Sequence, residues 1–470
     1  MVGTVSPRTA SLLVGLLGAV VAVAVGLLSG ASTTAARLLA IAVIGMVVGM
    51  TVTLASPRIV YAALAFTLGG IPFAVIPGAG PAVLLLAVAV WAAVLTHPPP
   101  NWRIRTLDVS VALLLLVSLA SVTESAASSV HVTEFLKWVV ATSVMFPLLR
   151  LGATDLRRFG LAYVCGAVVG GGFSLLLVFV DRTGSLIGIL SPIGYGATGA
   201  TGTTLRSFQV DGASITRLAG TYVDPNVAGI FLFLGLTLAL ALTRGWVLVL
   251  SGSIIGLALI ATLSRSAILS AIVALAVFLA FQRLTALTRA MVVVATLAGT
   301  AVALAVPAVN SRFLNSFGSS DRGTSDRARA FHDFLPSMDG HWLFGRGWGA
   351  IELIDEVAGY NANYVANTPL LTLYRGGIFV GVAFLVLLVV GVVAAYRHLR
   401  ASTHWQSGVI GAAFVGFTLV ALQLDFPVVT NPVVTMMFSV LLAMLAANPT
   451  PTPDDTAVEP DHARLQEVPR

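Results

Sequence analysis

Residues 246–282 have the sequence WVLVLSGSIIGLALIATLSRSAILSAIVALAVFLAFQ, in which two apolar runs are separated only by Leu263-Ser264-Arg265. Each run is about 17 residues long, which as an α-helix is near the minimum needed to cross the hydrocarbon core of a bilayer. Neither run alternates apolar and polar residues, as the strands of a membrane β-barrel do. The stretch therefore predicts two transmembrane helices joined by a tight turn.

The same pattern recurs along most of the chain. Of the 470 residues, 57% are apolar and 10% are charged, and the mean hydropathy is +0.96, which excludes a soluble globular protein. We expect an all-α, polytopic transmembrane helical bundle of about 12–14 spans with one long extracytoplasmic loop containing short amphipathic helices. For the interrupted or short runs 58–76, 81–96 and 107–121, the alternative is a re-entrant or fused segment. The predicted spans are 10–29, 36–54, 58–76, 81–96, 107–121, 134–150, 157–180, 225–243, 246–262, 266–282, 288–308, 368–395, 408–423 and 428–446.

The arginines predict the orientation, because short loops rich in Arg and Lys stay on the cytoplasmic side of a membrane. Alternate connections carry them, so we expect a multi-pass protein of the cytoplasmic (inner or plasma) membrane with both termini cytoplasmic. Residues 181–223 and 310–367 then lie outside. The cations are scattered through short loops, so the formal charge of +6 predicts no nucleic-acid partner. The arginines that fall on the cytoplasmic side are Arg8, Arg58, Arg103, Arg105, Arg150, Arg157, Arg158, Arg244, Arg283, Arg289, Arg397 and Arg400.

The chain divides into five regions. An N-terminal set of helices and a first outer loop (1–216) precedes central helices with two short motifs (217–308), a large extracytoplasmic loop (309–367), C-terminal helices (368–446) and a Pro-rich, acidic tail predicted to be disordered (447–470). The first apolar run superficially resembles a signal peptide, but its length and the even span count favour a retained span. The single cysteine, Cys165, is interpreted as a packing residue within a span. Metal-ligand spacing is absent from the sequence, and we expect no cofactor.

Charged residues fall almost entirely at predicted span ends or in loops. Ion-coupled transporters need ionisable groups near the middle of the bilayer, so this distribution disfavours one. Glu134 and Lys137 are the main exception. Their three-residue spacing favours a local ion pair that anchors a helix end.

Two outward-facing motifs carry candidate anion-binding residues. In Asp224-Pro225-Asn226, the Asp-Pro pair is typical of a helix start, with Asp224 as the N-cap. Arg217 lies just before this start, where the helix dipole and free amides favour an anion. Arg265 lies in the tight link between two spans, where its guanidinium suits either a phosphate or the lipid headgroups.

The long polar segment carries a third set of candidates. Residues 325–335, with Arg327 and Arg329, have the spacing of an amphipathic helix at the membrane surface. The glycines around Arg346 permit a tight turn, and Trp348 suits either the bilayer interface or stacking on a sugar ring. Asn367 precedes Thr368-Pro369, a pair that is also explained as the start of the next helix.

Together these motifs resemble the O-antigen ligase and polymerase family. The resemblance covers about residues 217–395 and rests on the order and outward placement of the motifs rather than on any one of them. The N-terminal spans match only in being many and apolar. The motifs are Asp224-Pro225-Asn226, Leu263-Ser264-Arg265, Arg327, Phe344-Gly345-Arg346-Gly347, and Asn367 followed by Gly376-Gly377.

The resemblance implies a metal-independent, inverting glycosyltransferase on the outer face of the cytoplasmic membrane. Its donor would be an oligosaccharide linked to a polyprenyl (undecaprenyl-type) pyrophosphate, and its partners a glycan or lipid acceptor and membrane lipids. Arg265 and Arg217 are carried over to the leaving pyrophosphate, with Asn367 as the third catalytic candidate. The substrate-binding candidates are Arg327, Arg329, Arg346, Trp348, Asp224 and Asn226.

One position departs from the family. Where the ligases typically have a histidine before the Asn, this chain has Ala366. The departure favours a polymerase over a ligase and leaves the general base open among His332, His341 and several acids. The competing interpretations are a lipid or polysaccharide transporter or flippase, and a non-catalytic partner in envelope assembly.

Overall fold

The computed structural model describes a large part of the chain between residues 26 and 447. The described residues are 26, 49–53, 55–98, 104–181, 185–195, 206–210, 213–305, 334–349, 354–355, 360–361, 367–401, 405–424, 429 and 431–447. Nearly all of the predicted first span and of the tail, most of the second span, and Arg327, Arg329, His332 and Ala366 lie outside these residues.

Helices make up nearly all of the described structure, which confirms the predicted all-α bundle. Among the described residues, five helical segments are long and apolar enough to cross a membrane by length and composition: Thr106–Ser125, Ser129–Leu149, Ala153–Phe179, Pro225–Leu242 and Thr368–Arg400. Several apolar helices are shorter. In chain order the helices are α1 Pro57–Gly70, α2 Ala82–Thr96, α3 Thr106–Ser125, α4 Ser129–Ser143, α5 Met145–Leu149, α6 Ala153–Phe179, α7 Pro225–Leu242, α8 Gly245–Ala261, α9 Arg265–Phe281, α10 Ala286–Leu304, α11 Thr368–Ala401, α12 Trp405–Gly416, α13 Leu422–Leu424 and α14 Pro432–Ala447.

Short elements join the helices. Two 3₁₀ helices cover Leu186–Ile193 and Gly220–Tyr222, and a π-helix, Phe417–Ala421, continues α12. In the described part of the chain, antiparallel pairs of strands are formed by β1 Val75–Ile76 with β2 Gly80–Pro81, β3 Arg206–Val210 with β4 Ala213–Arg217, and β5 Ile354–Asp355 with β6 Tyr360–Asn361.

The two ends of the bundle differ in chemistry. At the first, called the Arg244 end, Arg244 donates to the Gln406 amide oxygen at 3.1 and 3.0 Å, Arg157 donates to the Leu242 carbonyl at 3.2 Å, and Arg58 pairs with Asp155 at 3.3 Å. At the second, called the Arg217 end, α7, α9, α11 and α14 begin. The described loop arginines that the sequence assigned to one side thus gather at one end.

Glycines set the crossing of α1 and α6. A Cβ at Gly69 would overlap the Tyr163 carbonyl, one at Gly70 would meet the Gly166 carbonyl at 2.7 Å, and one at Gly170 would overlap Gly70. Small residues permit this backbone approach within a membrane. The glycine pair also marks where α1 ends, because the chain turns after Gly70 into β1. The predicted span 58–76 is therefore too long at its C-terminal end.

Helix α7 is the central helix of the bundle. Of its 18 residues, 78% are buried, and the buried residues include Ile230, Leu234 and Leu238. Helices α6, α8, α9 and α12 surround it. An apolar helix that is buried on all sides belongs in the interior of a bundle, so whatever gathers at the α7 N-terminus lies at the centre of the Arg217 end.

Candidate active site

Arg217 is fixed at the start of α7 by two hydrogen bonds. Its Nε donates to the Thr262 carbonyl at 3.0 Å, and its Nη2 donates to the Asn226 side-chain oxygen at 2.8 Å. The neighbouring backbone is also bonded to the end of α8, since Leu218 N–H donates to the Ala261 carbonyl at 3.0 Å. The guanidinium therefore bridges the start of α7 and the end of α8.

Asp224 caps α7, as the sequence predicts. Its Oδ1 accepts from the backbone N–H groups of Asn226 at 2.7 Å and Val227 at 3.2 Å, with Pro225 at the first helical position. The carboxylate satisfies two amides that a helix start would otherwise leave without partners. It also holds Asn226 in position to accept from Arg217.

The link between α8 and α9 lies directly beside this helix start. Ser264 caps α9 by accepting from Ala267 N–H at 3.5 Å, and Arg265 is the first helical residue, half-buried. The two helices meet at Gly229, where a Cβ would meet the side chains of Ala267 at 2.7 Å and Ser264 at 2.9 Å. Glycine is required here because the N-terminal turns of α7 and α9 lie against each other.

Both helix starts are preceded by a strained residue. Val223 has φ of 66° before the cap Asp224, and Leu263 has φ of 51° before the cap Ser264. A positive φ is rare for a bulky residue and costs on the order of 1–3 kcal/mol. Such conformations cluster at functional sites, where the surrounding structure holds them.

The segment before α7 is buried in the bundle. Tyr222 donates from its hydroxyl to the Gly69 carbonyl at 2.8 Å, Tyr195 donates to the Thr221 carbonyl at 2.9 Å, and Thr221 N–H donates to the Ser174 hydroxyl at 3.2 Å. Burial raises the pKa of Tyr195, so its phenol stays protonated as a donor. These bonds tie the segment to α1, α6 and the first 3₁₀ helix.

Asn367 begins α11 at the same end. Its Oδ1 accepts from Leu370 N–H at 3.0 Å, and its amide nitrogen donates to the Gln423 side-chain oxygen at 2.6 Å. The capping residue is thus Asn367 itself, one position before Thr368-Pro369. Gln423 is a partner that the sequence analysis missed, because its place depends on the π-helix that precedes it.

Packing brings Gln423 towards the Arg265 end of α9. Gly416 lies against the backbone of Ser270, and Gly408 lies against Gln282 at the other end of α9. The α12 segment and α9 therefore run antiparallel, and Gln423 lies at the same end as Arg265. The start of α11 is thus connected to α9 through Gln423 and the α12 segment, and α9 lies against the start of α7 at Gly229.

Arg346 lies in a turn that docks into a break in α11. Gly377 has φ of 77° and ψ of −174°, which opens the helix. There Arg346 N–H donates to the Tyr374 carbonyl at 2.7 Å, Gly347 N–H donates to the Arg375 carbonyl at 3.1 Å, and Ile378 N–H donates to the Trp342 carbonyl at 2.8 Å. The glycine-rich turn around Arg346 and the glycine pair of α11 therefore form one junction, although they are about 30 residues apart in the sequence.

The same turn lies against α3 and α4. Ser121 donates to the Phe344 carbonyl at 2.8 Å. Trp348 is 1% exposed and packs against Trp138, at 4.3 Å between ring centroids, and Phe135, at 5.4 Å. Trp348 is therefore surrounded by protein side chains, and its contact with a sugar stays a prediction. On α4, Lys137 pairs with Glu134 at 2.7 Å, the local pair that the spacing predicts.

Arg375 is a second residue that the sequence analysis missed. It is 6% exposed, two residues before the break in α11. An arginine within an apolar helix is costly in a membrane and marks a functional position by default. The sequence signal for it is a charged residue within the apolar run 368–395, in Tyr374-Arg375-Gly376-Gly377.

Fold and site define a polytopic helical membrane protein in which Arg217, Arg265 and several capped helix starts lie at the Arg217 end. Within this class, the model of the O-antigen ligase family matches residues 250–385. The match includes Arg265, Arg346 and Asn367 and confirms over these residues the resemblance to the ligase and polymerase family. That family implies lipid-linked glycan substrates and glycosyltransferase-like activity. No curated protein matches the chain.

Proposed function

We propose that the protein is an integral-membrane glycosyltransferase that transfers or polymerises glycan from a polyprenyl-pyrophosphate carrier during synthesis of envelope polysaccharide. The observation that carries the proposal is Arg217, which bridges the start of α7 and the end of α8 beside Arg265. Two guanidiniums and two helix N-termini at one place favour a pyrophosphate.

The proposed step is a direct inverting displacement. The acceptor hydroxyl oxygen forms a bond to the anomeric carbon while the bond from that carbon to the pyrophosphate oxygen breaks, and the electron pair leaves with the polyprenyl pyrophosphate. The acceptor proton passes to a base. Arg265 and Arg217 stabilise the charge that develops on the leaving group, a contribution whose loss costs roughly a hundredfold in rate. The proposal includes no metal.

The acceptor side of the reaction favours a polymerase. Ala366 stands at the histidine position of the ligases. Asn367 orients the start of α11 through Gln423 and is proposed to contact the acceptor or the glycan, with Arg327, Arg329, Arg346, Asp224 and Asn226 as further binding candidates. In the proposed orientation the Arg217 end faces outward from the cytoplasmic membrane, and both termini are cytoplasmic.

An apolar cavity of about 480 Å³ supports the proposal that the substrate is linked to a carrier lipid. It lies between α7, α9, α10 and α12 and is lined by Phe233, Leu236, Ala271, Leu275 and Phe278. The lining continues to Leu284 and Trp405 at the Arg244 end, so the cavity lies in the half of the bundle away from the proposed pyrophosphate site. We propose that an isoprenoid tail running from that site along α7 and α9, which both begin there, reaches the cavity.

The test compares cells that lack the protein with cells restored by the intact chain, by Arg265→Ala or by Arg283→Ala. Arg283 is the matched control, because it follows the opposite end of the same helix. We expect Arg265→Ala to accumulate in the membrane without restoring surface polysaccharide, and Arg283→Ala to restore it. Single repeat units in the deletion indicate a polymerase, and full-length polymer held on its carrier indicates a ligase. Normal polysaccharide with Arg265→Ala would contradict the assigned role.

Two other functions make different predictions. A transporter or flippase leaves its substrate chemically unchanged, whereas a transferase in detergent consumes lipid-linked oligosaccharide and releases polyprenyl pyrophosphate. A non-catalytic assembly partner retains transfer when Arg217, Arg265 and Arg327 are all replaced, and loses a complex instead.

A further inference from the structure

A second cavity, of about 550 Å³, opens at the Arg244 end, far along α11 from the proposed active site. It lies between the start of α3, the last turns of α11 and the end of α14. We call it the Arg105 cavity. Its lining includes Ile104, Arg105, Val389, Val393, Arg397 and His398.

The polar part of the Arg105 cavity is cationic. Arg105 and Arg397 contribute two guanidiniums, and the Nη1 atom of Arg105 is buried with no hydrogen-bond partner among the described residues. Among the described residues near Arg105, Asp108 accepts from the Arg105 backbone N–H through Oδ2 at 2.9 Å, and its Oδ1 is buried without a hydrogen-bond partner in the described part of the chain. Burial lowers the pKa of Arg150, Asp108 opposes this shift and Arg105 adds to it, so a third guanidinium lies close by. In the described part of this end, three arginines, Arg105, Arg397 and Arg150, lie near the one carboxylate of Asp108, and an anion in the cavity would give Arg105 Nη1 an acceptor.

The apolar part of the cavity continues along the helices. On α11, Val382, Val386, Val389 and Val393 follow one helical face and are between 41% and 62% exposed. Residues spaced by three and four positions form a continuous stripe on a helix. The neighbouring helix α3 carries a matching stripe of exposed residues, namely Val109, Leu113 and Leu116. The cationic part of the cavity therefore lies at one end of two apolar stripes, one on α11 and one on α3.

We infer that the Arg105 cavity binds an anionic phospholipid of the membrane leaflet at the Arg244 end. The lipid phosphate contacts Arg105 and Arg397, and its acyl chains lie along the α3 and α11 stripes. Basic pockets between transmembrane helices recognise acidic lipid headgroups in this way. A zwitterionic lipid with the same chains carries no net charge to complement the arginines. The site is separate from the glycan site and does not depend on the proposed function.

The test uses the purified full chain in detergent with phosphatidylglycerol or phosphatidylcholine of identical acyl chains. Native mass spectrometry measures how much of each lipid the protein retains. We expect phosphatidylglycerol to be retained preferentially, and Arg105→Gln and Arg397→Gln each to weaken its binding roughly fivefold. Arg283→Gln with Arg289→Gln is the matched control, because both arginines are exposed at the same end and line neither part of the cavity.

Arg397→Gln keeps the test informative if Arg105→Gln fails to fold, since Arg397 is exposed. Equal retention of the two lipids would overturn the inference, as would an unchanged preference in the Arg397→Gln protein. Displacement of phosphatidylglycerol by millimolar inorganic phosphate would also overturn it, because the site would then select a free anion. An equal loss in the control pair would mean that general surface charge, and not this cavity, holds the lipid.

Discussion

Arg217 donates to two neutral acceptors, the Thr262 carbonyl and the Asn226 side chain. These two hydrogen bonds fix the orientation of the guanidinium through uncharged acceptors, and a guanidinium held in a fixed orientation suits fork-like contact with an anion. The sequence indicates Arg217 as a candidate because it precedes a helix start. It does not indicate Thr262, because that contact requires α8 to end beside the start of α7.

The two hydrogen bonds of Arg217 predict that a positive charge at this position is not enough for glycan transfer. Arg217→Lys keeps the cation but lacks the planar fork that reaches Thr262 and Asn226 together. We expect glycan transfer to fall by roughly a hundredfold while the protein still accumulates in the membrane. The measurement is release of polyprenyl pyrophosphate from lipid-linked oligosaccharide by the purified variant. Arg158→Lys, at an exposed position paired with Asp155, is the control that should keep normal transfer.

Asn367 offers a test that separates capping from function. Asn367→Ala removes the cap of α11 and the contact with Gln423, and Asn431→Ala removes the cap of α14 at the same end, where Asn431 accepts from Val433 N–H at 3.0 Å. We expect both variants to lose about 1 kcal/mol of stability in thermal unfolding. Only Asn367→Ala should also lose transfer. If both lose transfer equally, Asn367 acts through capping alone.

At the scale of elements, the apolar runs predict most helices to within a few residues. The hydrocarbon thickness sets helix length, and caps such as Asp224 set the starts. The break in α11 is different. Gly376-Gly377 is visible in the sequence, but its purpose depends on a turn about 30 residues earlier whose backbone fills the gap. The π-helix that positions Gln423 likewise has no local sequence signal.

The junction in α11 makes a direct prediction about its glycines. Gly377→Ala would place a Cβ against the Leu343 carbonyl at a left-handed backbone position, whereas a Cβ at Gly381 would only make ordinary contact with Leu373 at 3.4 Å. We expect Gly377→Ala to release the turn around Arg346 and to lower the melting temperature and transfer. Gly381→Ala should match the intact chain in both assays. A normal melting temperature for Gly377→Ala would mean that the turn is not needed to hold α11.

For the whole molecule, the arginine distribution predicts an orientation that labelling can test. In a Cys165→Ser background, Ser128→Cys places a thiol at the exposed start of α4 near the Arg217 end, and Thr285→Cys places one at the exposed Arg244 end. We expect a membrane-impermeant maleimide to label the Ser128→Cys chain in cells with a sealed cytoplasmic membrane. The Thr285→Cys chain should be labelled only after permeabilisation. The reverse pattern would place both chain termini outside.

Composition and periodicity thus predict the class, most spans and the end at which the candidates gather. They do not predict which candidates meet. Arg217, Asp224, Asn226 and Arg265 come together because α7 and α9 start side by side at Gly229. Trp348 and Arg346 contact α3, α4 and α11 instead. Arg375 and Gln423 emerge only from the packing of helices distant in sequence.

The enclosure of α7 has a consequence for how the chain is made. Its neighbours α1 and α6 are synthesised before it, whereas α8, α9, α12 and α14 are synthesised after it. When α7 is newly inserted, it therefore faces lipid on the sides that later helices will cover. It must be stable in contact with lipid until those helices are made. Its uniformly apolar surface suits both environments in turn, since lipid tails and buried side chains are equally apolar. Arg217 and Arg265 can come together once α9 is made, whereas the contact of Asn367 with Gln423 forms only after α13 is made, so the growing chain carries an incomplete site until then.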